Sequence, residues 1–155
     1  MKKQFLLMAA CLTILANVYA GTNSIENNFK KISANEKAMK NFHKRYENVS
    51  GEVWNSIQNG YAANFVTNGH NTIAVYNNKG NWAYTIERYK ADNLPLDLIE
   101  RVKEDYDRYY IAGAEKIDTP ASSVIIVHLE NKEWYKTIRV DDSGIKLLQQ
   151  FKKIK

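Results

Sequence analysis

The sequence predicts an α+β fold: an antiparallel sheet made by two tandem α-β4 repeats, with both helices packed on one face. Three observations predict it. From Tyr61 to Tyr89, residues alternate with period two through two turn signals, Asn68-Gly69 and Asn77-Asn78-Lys79-Gly80, which is the pattern of a three-stranded meander. Two other stretches, Ser33 to Tyr46 and Pro95 to Tyr106, space their apolar residues by three and four, as a helix with one buried side does. Each helical stretch is followed by four strand-like stretches, with Tyr46 matching Tyr106 and Gly80 matching Gly144, so the order of elements repeats with a period of roughly sixty residues.

Residues 1–20 carry two lysines, an apolar run from Phe5 to about Val18, and short residues around Ala20. That is the grammar of a secretory signal, with a mature start at Gly21. The run is too short to span a bilayer as a helix. Lipidation at Cys11 is the competing reading, but the segment ahead of Cys11 is short and apolar residues continue after it. The expected location is therefore periplasmic or secreted. Removing the signal removes the single cysteine, so stability in an oxidising compartment must come from packing rather than disulfides. The remaining length suits one domain. Lysine and arginine number 22 against 17 acidic residues, and loss of Lys2 and Lys3 leaves a small scattered excess, which gives no footprint for nucleic acid.

Residues 21–32 are polar, hold three asparagines and read as a flexible arm. The domain covers 33–155, with a first repeat over about 33–90 and a second over about 91–155. Ser33 with Glu36 three positions on forms a capping-box pattern ahead of Ala38, Met39, Phe42 and Tyr46. Val53, Trp54 and Ile57 read as the first strand, and the meander follows. Pro95 opens the second helix, where a missing amide is harmless, and Leu98, Ile99, Val102 and Tyr106 mark its buried side. Four strands follow over 109–117, 122–130, 133–140 and 145–151, divided by Asp118-Thr119-Pro120, Asn131-Lys132 and Asp141-Asp142-Ser143-Gly144.

The same residues offer little for catalysis. His43, His70 and His128 fall on a helix, a loop and a strand without paired spacing, so no metal site is expected. No serine sits in a Gly-x-Ser-x-Gly elbow, and Asp141-Asp142-Ser143-Gly144 lacks the ligand alternation of a calcium loop. No Gly-rich phosphate cradle or dinucleotide fingerprint occurs, and no cofactor is expected. Convergent carboxylates stay open, with Glu52, Glu87 and Glu130 on strands.

Ten tyrosines and three tryptophans are the compositional excess. Tyr61, Phe65, Tyr76, Trp82 and Tyr84 share one strand parity, which suits either the core face under the helices or part of a recognition surface. In the second half Ile125, Val127, Leu129, Trp134, Ile138, Val140, Ile145, Leu147 and Phe151 take one parity. His128, Glu130, Tyr135, Thr137, Arg139, Lys146 and Gln150 take the other, so one face is wet. Trp54, Trp82, Tyr84, Tyr135 and Arg139 are the candidate protein-binding residues.

The run Tyr61-x-Ala63-x-Phe65, Ala74-x-Tyr76 before Gly80-x-Trp82, Leu94-Pro95 opening a helix and Tyr109-Tyr110 opening a strand resembles the exported PepSY-like proteins related to β-lactamase-inhibitor-like (BLIP-like) domains. The resemblance spans roughly residues 38–151. It implies the tandem α-β4 layout and a small exported module that binds or inhibits other proteins, with no catalytic residues to carry over. Lys79 departs from it, since the family usually has an acidic residue before that turn glycine. The resulting expectation is a non-enzymatic binding module for another envelope or secreted protein. The alternatives are a small-ligand or envelope-stress sensor, which needs a closed apolar cavity, and a hydrolase, which needs a Ser-His pair or paired carboxylates in a cleft.

Overall fold

The structure, a computed structural model, describes residues 34–154; the signal segment, the arm and Ser33 lie outside them. Helix α1 (Glu36–Arg45) is followed by β1 (Val53–Ile57), β2 (Gly60–Thr67), β3 (His70–Asn77) and β4 (Trp82–Lys90). A 3₁₀ turn (Ala91–Asn93) leads to α2 (Leu96–Tyr106), then β5 (Tyr110–Asp118), β6 (Ser123–Glu130), β7 (Trp134–Asp141) and β8 (Gly144–Lys152). All eight strands form one antiparallel sheet in the order β1 to β8.

Local chemistry explains the punctuation. Asn68 and Gly69 both take positive φ, 51° and 78°, as a two-residue turn whose twist matches its strands requires. Helix α1 is capped by Asn35, whose Oδ1 accepts the Ala38 amide at 2.8 Å. The capping-box expectation had placed the cap two residues earlier, at Ser33. Asn35 prevails because its side chain is also engaged by the sheet: its Nδ2 donates to the Asn78 carbonyl at 3.1 Å. Glu36 in the first turn and His43, Lys44 and Arg45 in the last complement the helix dipole. Pro95 caps α2.

Both helices cover the same face. From α1, Ala38 and Phe42 are fully buried against Ala63, Phe65, Ala74 and Tyr76, with Trp54 at the edge strand. The Phe42 ring meets those of Trp54 and Phe65 edge-on at 5.5 and 5.0 Å. From α2, Leu98 and Val102 pack on Ile111, Ala114, Val127, Leu129, Ile138 and Val140. Thr85, bonded to Tyr46 of the first half, and Tyr89, packed in the second cluster, lie on one side of β4, which places both helices on that side.

Three register shifts alter the expected parities. A bulge between Val75 and Tyr76 pairs Tyr76 with Trp82 but Val75 with Tyr84. Trp82 therefore stays with α1 while Tyr84 turns to the opposite face, correcting the single aromatic row read from alternation. A second shift, between Thr137 and Ile138, steps over Leu148 and puts Phe151 opposite Tyr135. Phe151 thus joins the face without helices and Gln150 the helix face, the reverse of the expectation. The third lies between Ile111 and Gly113.

Tyr76 is fully buried, and its hydroxyl has no hydrogen-bond partner among the described residues. Burial raises its pKa above the ordinary 10.0, and burial likewise pushes that of Tyr89 up to about 12. A phenol that keeps its proton longer in the folded chain makes the native state the more protonated one, so stability falls as pH rises past about 10. Tyr76→Phe removes an unpaired buried polar group, a change that is near neutral or stabilising. The expected result is an unchanged or higher thermal midpoint at pH 7 and a shallower loss between pH 10 and 12, read by circular dichroism. A midpoint lowered by several degrees would show that the hydroxyl does have a stabilising partner.

Candidate docking face

The helix-free side of the sheet is ordered by the strand pairing into transverse rows. Ile73, Ile86, Ile117 and Val124 stand next to one another across β3 to β6. The adjacent row runs Arg88, Glu115, Ile126, Arg139 and Lys146 across β4 to β8. Further along, His128 pairs with Thr137, and Tyr110, Glu130, Tyr135 and Phe151 close the end of the face.

The middle of this face is apolar. Ile86, Ile117, Val124 and Ile126 are buried although no described element lies over them, and Tyr84 and Leu148 pack against them. Leu148 reaches this cluster from β8 although β7 intervenes. Neighbouring strands are about 4.8 Å apart, so such a contact requires the sheet to curl towards its free side. At the end of the trough the apolar surface opens: Tyr110, Tyr135 and Phe151 are 60, 50 and 56% exposed, a clustered arrangement of the kind that marks interaction surfaces.

The charges here are mostly paired. His128 Nε2 lies 2.7 Å from Glu115 Oε2, and Thr137 Oγ1 lies 3.4 Å from His128 Nδ1. Arg139 grips Asp141, with its Nε at 2.6 Å from Oδ2 and an Nη2 contact to the same oxygen. Hydrogen bonds from Ser143, then Arg139, hold the Asp141 carboxyl below the usual carboxylate range. Lys153 bridges to Glu130 at 2.9 Å and sits 4.3 Å above the Tyr135 ring.

The five predicted binding residues separate. Tyr84, Tyr135 and Arg139 lie on the free face. Trp54 is buried in the α1 core, with its Nε1 unpaired among the described residues, and so presents no surface to a partner. Trp82 is half-buried on the helix face, donates to Thr85 Oγ1 at 3.0 Å and carries the Arg45 guanidinium 3.6 Å above its ring. Arg88, Glu115, Tyr110 and Phe151 were not singled out by sequence. Strict alternation carried along β4 and β5 would have flagged Arg88 and Glu115, whereas Phe151 could be found only from the bulge.

On the helix face, a cleft of about 1020 Å³ opens beyond the end of α1, lined by Arg45, Tyr46, Glu47, Trp82, Thr85, Glu87 and Asp118 among others. It is open and polar, unlike the closed apolar cavity a lipophilic sensor requires. Among the described residues no group of three or more His, Cys, Asp or Glu is placed to hold a metal ion, and no helix is long and apolar enough to cross a membrane.

No family model matches the sequence, and none of the curated proteins is similar to it. Solved structures do share its fold. A BLIP-like protein from Bacteroides fragilis superposes with a TM-score of 0.64 at 18% identity, over 78% of this chain and 87% of that one. A DUF2874 family protein from Bacteroides ovatus gives 0.63 at 18%, over 78% and 89%. A Bacteroides eggerthii protein provisionally assigned to the periplasm gives 0.61 at 16%, over 78% and 90%. The chain therefore has the fold of BLIP-like proteins.

Proposed function

We propose that this chain is an exported, non-enzymatic binding module that recognises or inhibits another protein of the envelope or secreted fraction through the free face of its sheet. One observation carries the reading. The helices occupy one side of the sheet, yet the other side is also apolar at its centre and ends in the exposed Tyr110, Tyr135 and Phe151. A solvated sheet face has no need of such surface, whereas an interface does. The fold shared with a BLIP-like protein supports a binding role, and the signal-like N-terminus supports export.

A hydrolase reading has one specific observation in its favour, the hydroxyl–imidazole–carboxylate sequence Thr137, His128, Glu115. Thr137 stands mid-strand between His128 and Gln149, in backbone committed to two ladders, whereas acyl transfer needs amides aimed at an oxyanion. We read the trio as a brace for the face. Turnover of p-nitrophenyl acetate that disappears in Thr137→Ala would favour the hydrolase instead.

The docking reading is tested with a photo-crosslinking residue at position 135 of the mature protein, or at exposed position 40 on α1 as the control. The same envelope protein should be captured from 135 and not from 40. Tyr135→Ala combined with Arg139→Ala should then weaken that partner by about 2 kcal/mol, roughly 30-fold, while moving the thermal midpoint by no more than a few degrees. Equal capture from both positions, or unchanged affinity of the double variant, would reject the free face as the docking surface.

A further inference from the structure

The cations of the free face are not equivalent. Its carboxylates are each already engaged: Glu115 by His128, Glu130 by Lys153 and Asp141 by Arg139. Arg139, the cation that alternation brings forward, is thus neutralised by its own neighbour. Arg88 is different. The strand register sets it directly across from Glu115, the spacing at which an opposite-charge pair normally forms, but the Glu115 carboxylate is turned to His128 at 2.7 Å. Arg88 makes no ion pair among the described residues, and its Nε is shielded from solvent with no hydrogen-bond partner. Lys90 and Lys146, on the same face, also have no ion-pair partner among the described residues.

The uncompensated charge on this face is therefore positive, and its most constrained member stands beside the apolar row. Ile86 is two residues from Arg88 on the same side of β4, and Ile126 is two strands away in the same row. A buried guanidinium nitrogen without an acceptor is costly, and a planar fork of donors is best satisfied by a carboxylate. Resting on the docking reading above, we propose that the free face receives a protein loop presenting a carboxylate to Arg88 next to an apolar side chain seated over Ile73 and Ile86. His128 acts in this as a positioning residue: by holding Glu115 it keeps the carboxylate directly across the strand pair off Arg88.

The probe is a library of disulfide-cyclised random peptides displayed on phage and selected in parallel on the mature protein and on Arg88→Gln. Selection on the unaltered protein should enrich loops with Asp or Glu beside a large apolar residue, and the Arg88→Gln selection should not. For the best synthetic peptide, measured by calorimetry, changing its carboxylate to the amide and changing Arg88→Gln should each weaken binding at least tenfold. The two changes together should cost little more than either alone, because they remove one interaction. Arg88→Lys should recover part of the loss, and unchanged thermal midpoints keep a folding defect from imitating it. Peptides that lose affinity in Tyr135→Ala but tolerate the amide and Arg88→Gln would overturn the carboxylate inference while leaving the docking face standing. Peptides indifferent to Tyr135 and to Arg88 alike, or no enrichment over the Arg88→Gln selection, would overturn it and count against the face as well.

Discussion

Phe42→Ala should lower the stability of this protein by about 3–5 kcal/mol, a loss on the order of 10–20 °C in thermal midpoint for a domain of this size. Phe42 is fully buried and is the only α1 ring in the core: Tyr46, Trp54 and Phe65 all lie within ring contact of it. Aromatic surroundings of this kind are stiff, so the space left by truncation does not collapse, and the cost falls at the upper end for its type. Total stabilities of domains are typically about 5–15 kcal/mol, which makes this one change comparable to the whole margin. Urea titration is the measurement, with Val66→Ala as the control. Val66 is 61% exposed, and its truncation should stay within about 0.5 kcal/mol. A Phe42→Ala loss below about 1 kcal/mol would mean that α1 is not docked as described.

The second large effect is expected at a turn. Gly80 has φ of +73°, and a Cβ placed on it would lie 2.7 Å from Asn35 Oδ1 and 2.8 Å from the Ala38 amide nitrogen, so Gly80→Ala intrudes into the cap of α1. The surrounding bonds show how closely turn and helix are joined: Asn41 Nδ2 donates to the Gly80 carbonyl at 2.8 Å, and Asn35 Nδ2 to that of Asn78 at 3.1 Å. A left-handed backbone costs an alanine about 1–2 kcal/mol, and losing a side-chain cap adds about 1 kcal/mol. Gly51 separates the two contributions, since its φ is +76° but nothing lies within 4 Å of its would-be Cβ. Gly51→Ala should therefore show the backbone cost alone, and Gly80→Ala about 1–2 kcal/mol more with reduced helical ellipticity. Equal losses at both glycines would remove the turn–helix contact from the account.

What could be read from the sequence was what is encoded locally. Asn68-Gly69 names its own turn type, and Ala38 with Phe42, or Leu98 with Val102, name a helix face by spacing alone. Alternation also placed Tyr135 and Arg139 on the side away from Val127 and Ile138. It failed at the bulges, because stepping over Ala83 or Leu148 answers to the curvature of the whole sheet and leaves no mark in the residues concerned; Tyr84 and Phe151 were misplaced for that reason alone. The choice of Glu115 between Arg88 and His128 was equally hidden, since it depends on how β4, β5 and β6 are set against one another. Ser33 and Asn35 are both able to cap a helix, and the preference came from Asn78, more than forty residues away. That the two halves are copies of one unit is our proposal, and it rests on their common order of one helix and four strands.

The uninterrupted neighbour order from β1 to β8 bears on how the chain reaches this structure. Every described strand finds its partner a short turn away, except that β5 reaches β4 across the α2 crossing, so among the described strands that pairing alone waits on the closure of a long connection. The entropic toll of chain closure grows with loop length, and folds dominated by near-sequence contacts assemble faster than those with distant pairings. A chain arranged in this way can extend its sheet outward from any hairpin that forms first, each new strand meeting an edge already in place. Wherever part of the chain is free to fold, the instructions for each hairpin lie within a few residues of one another, and among the described strands the β4–β5 seam alone must wait for α2.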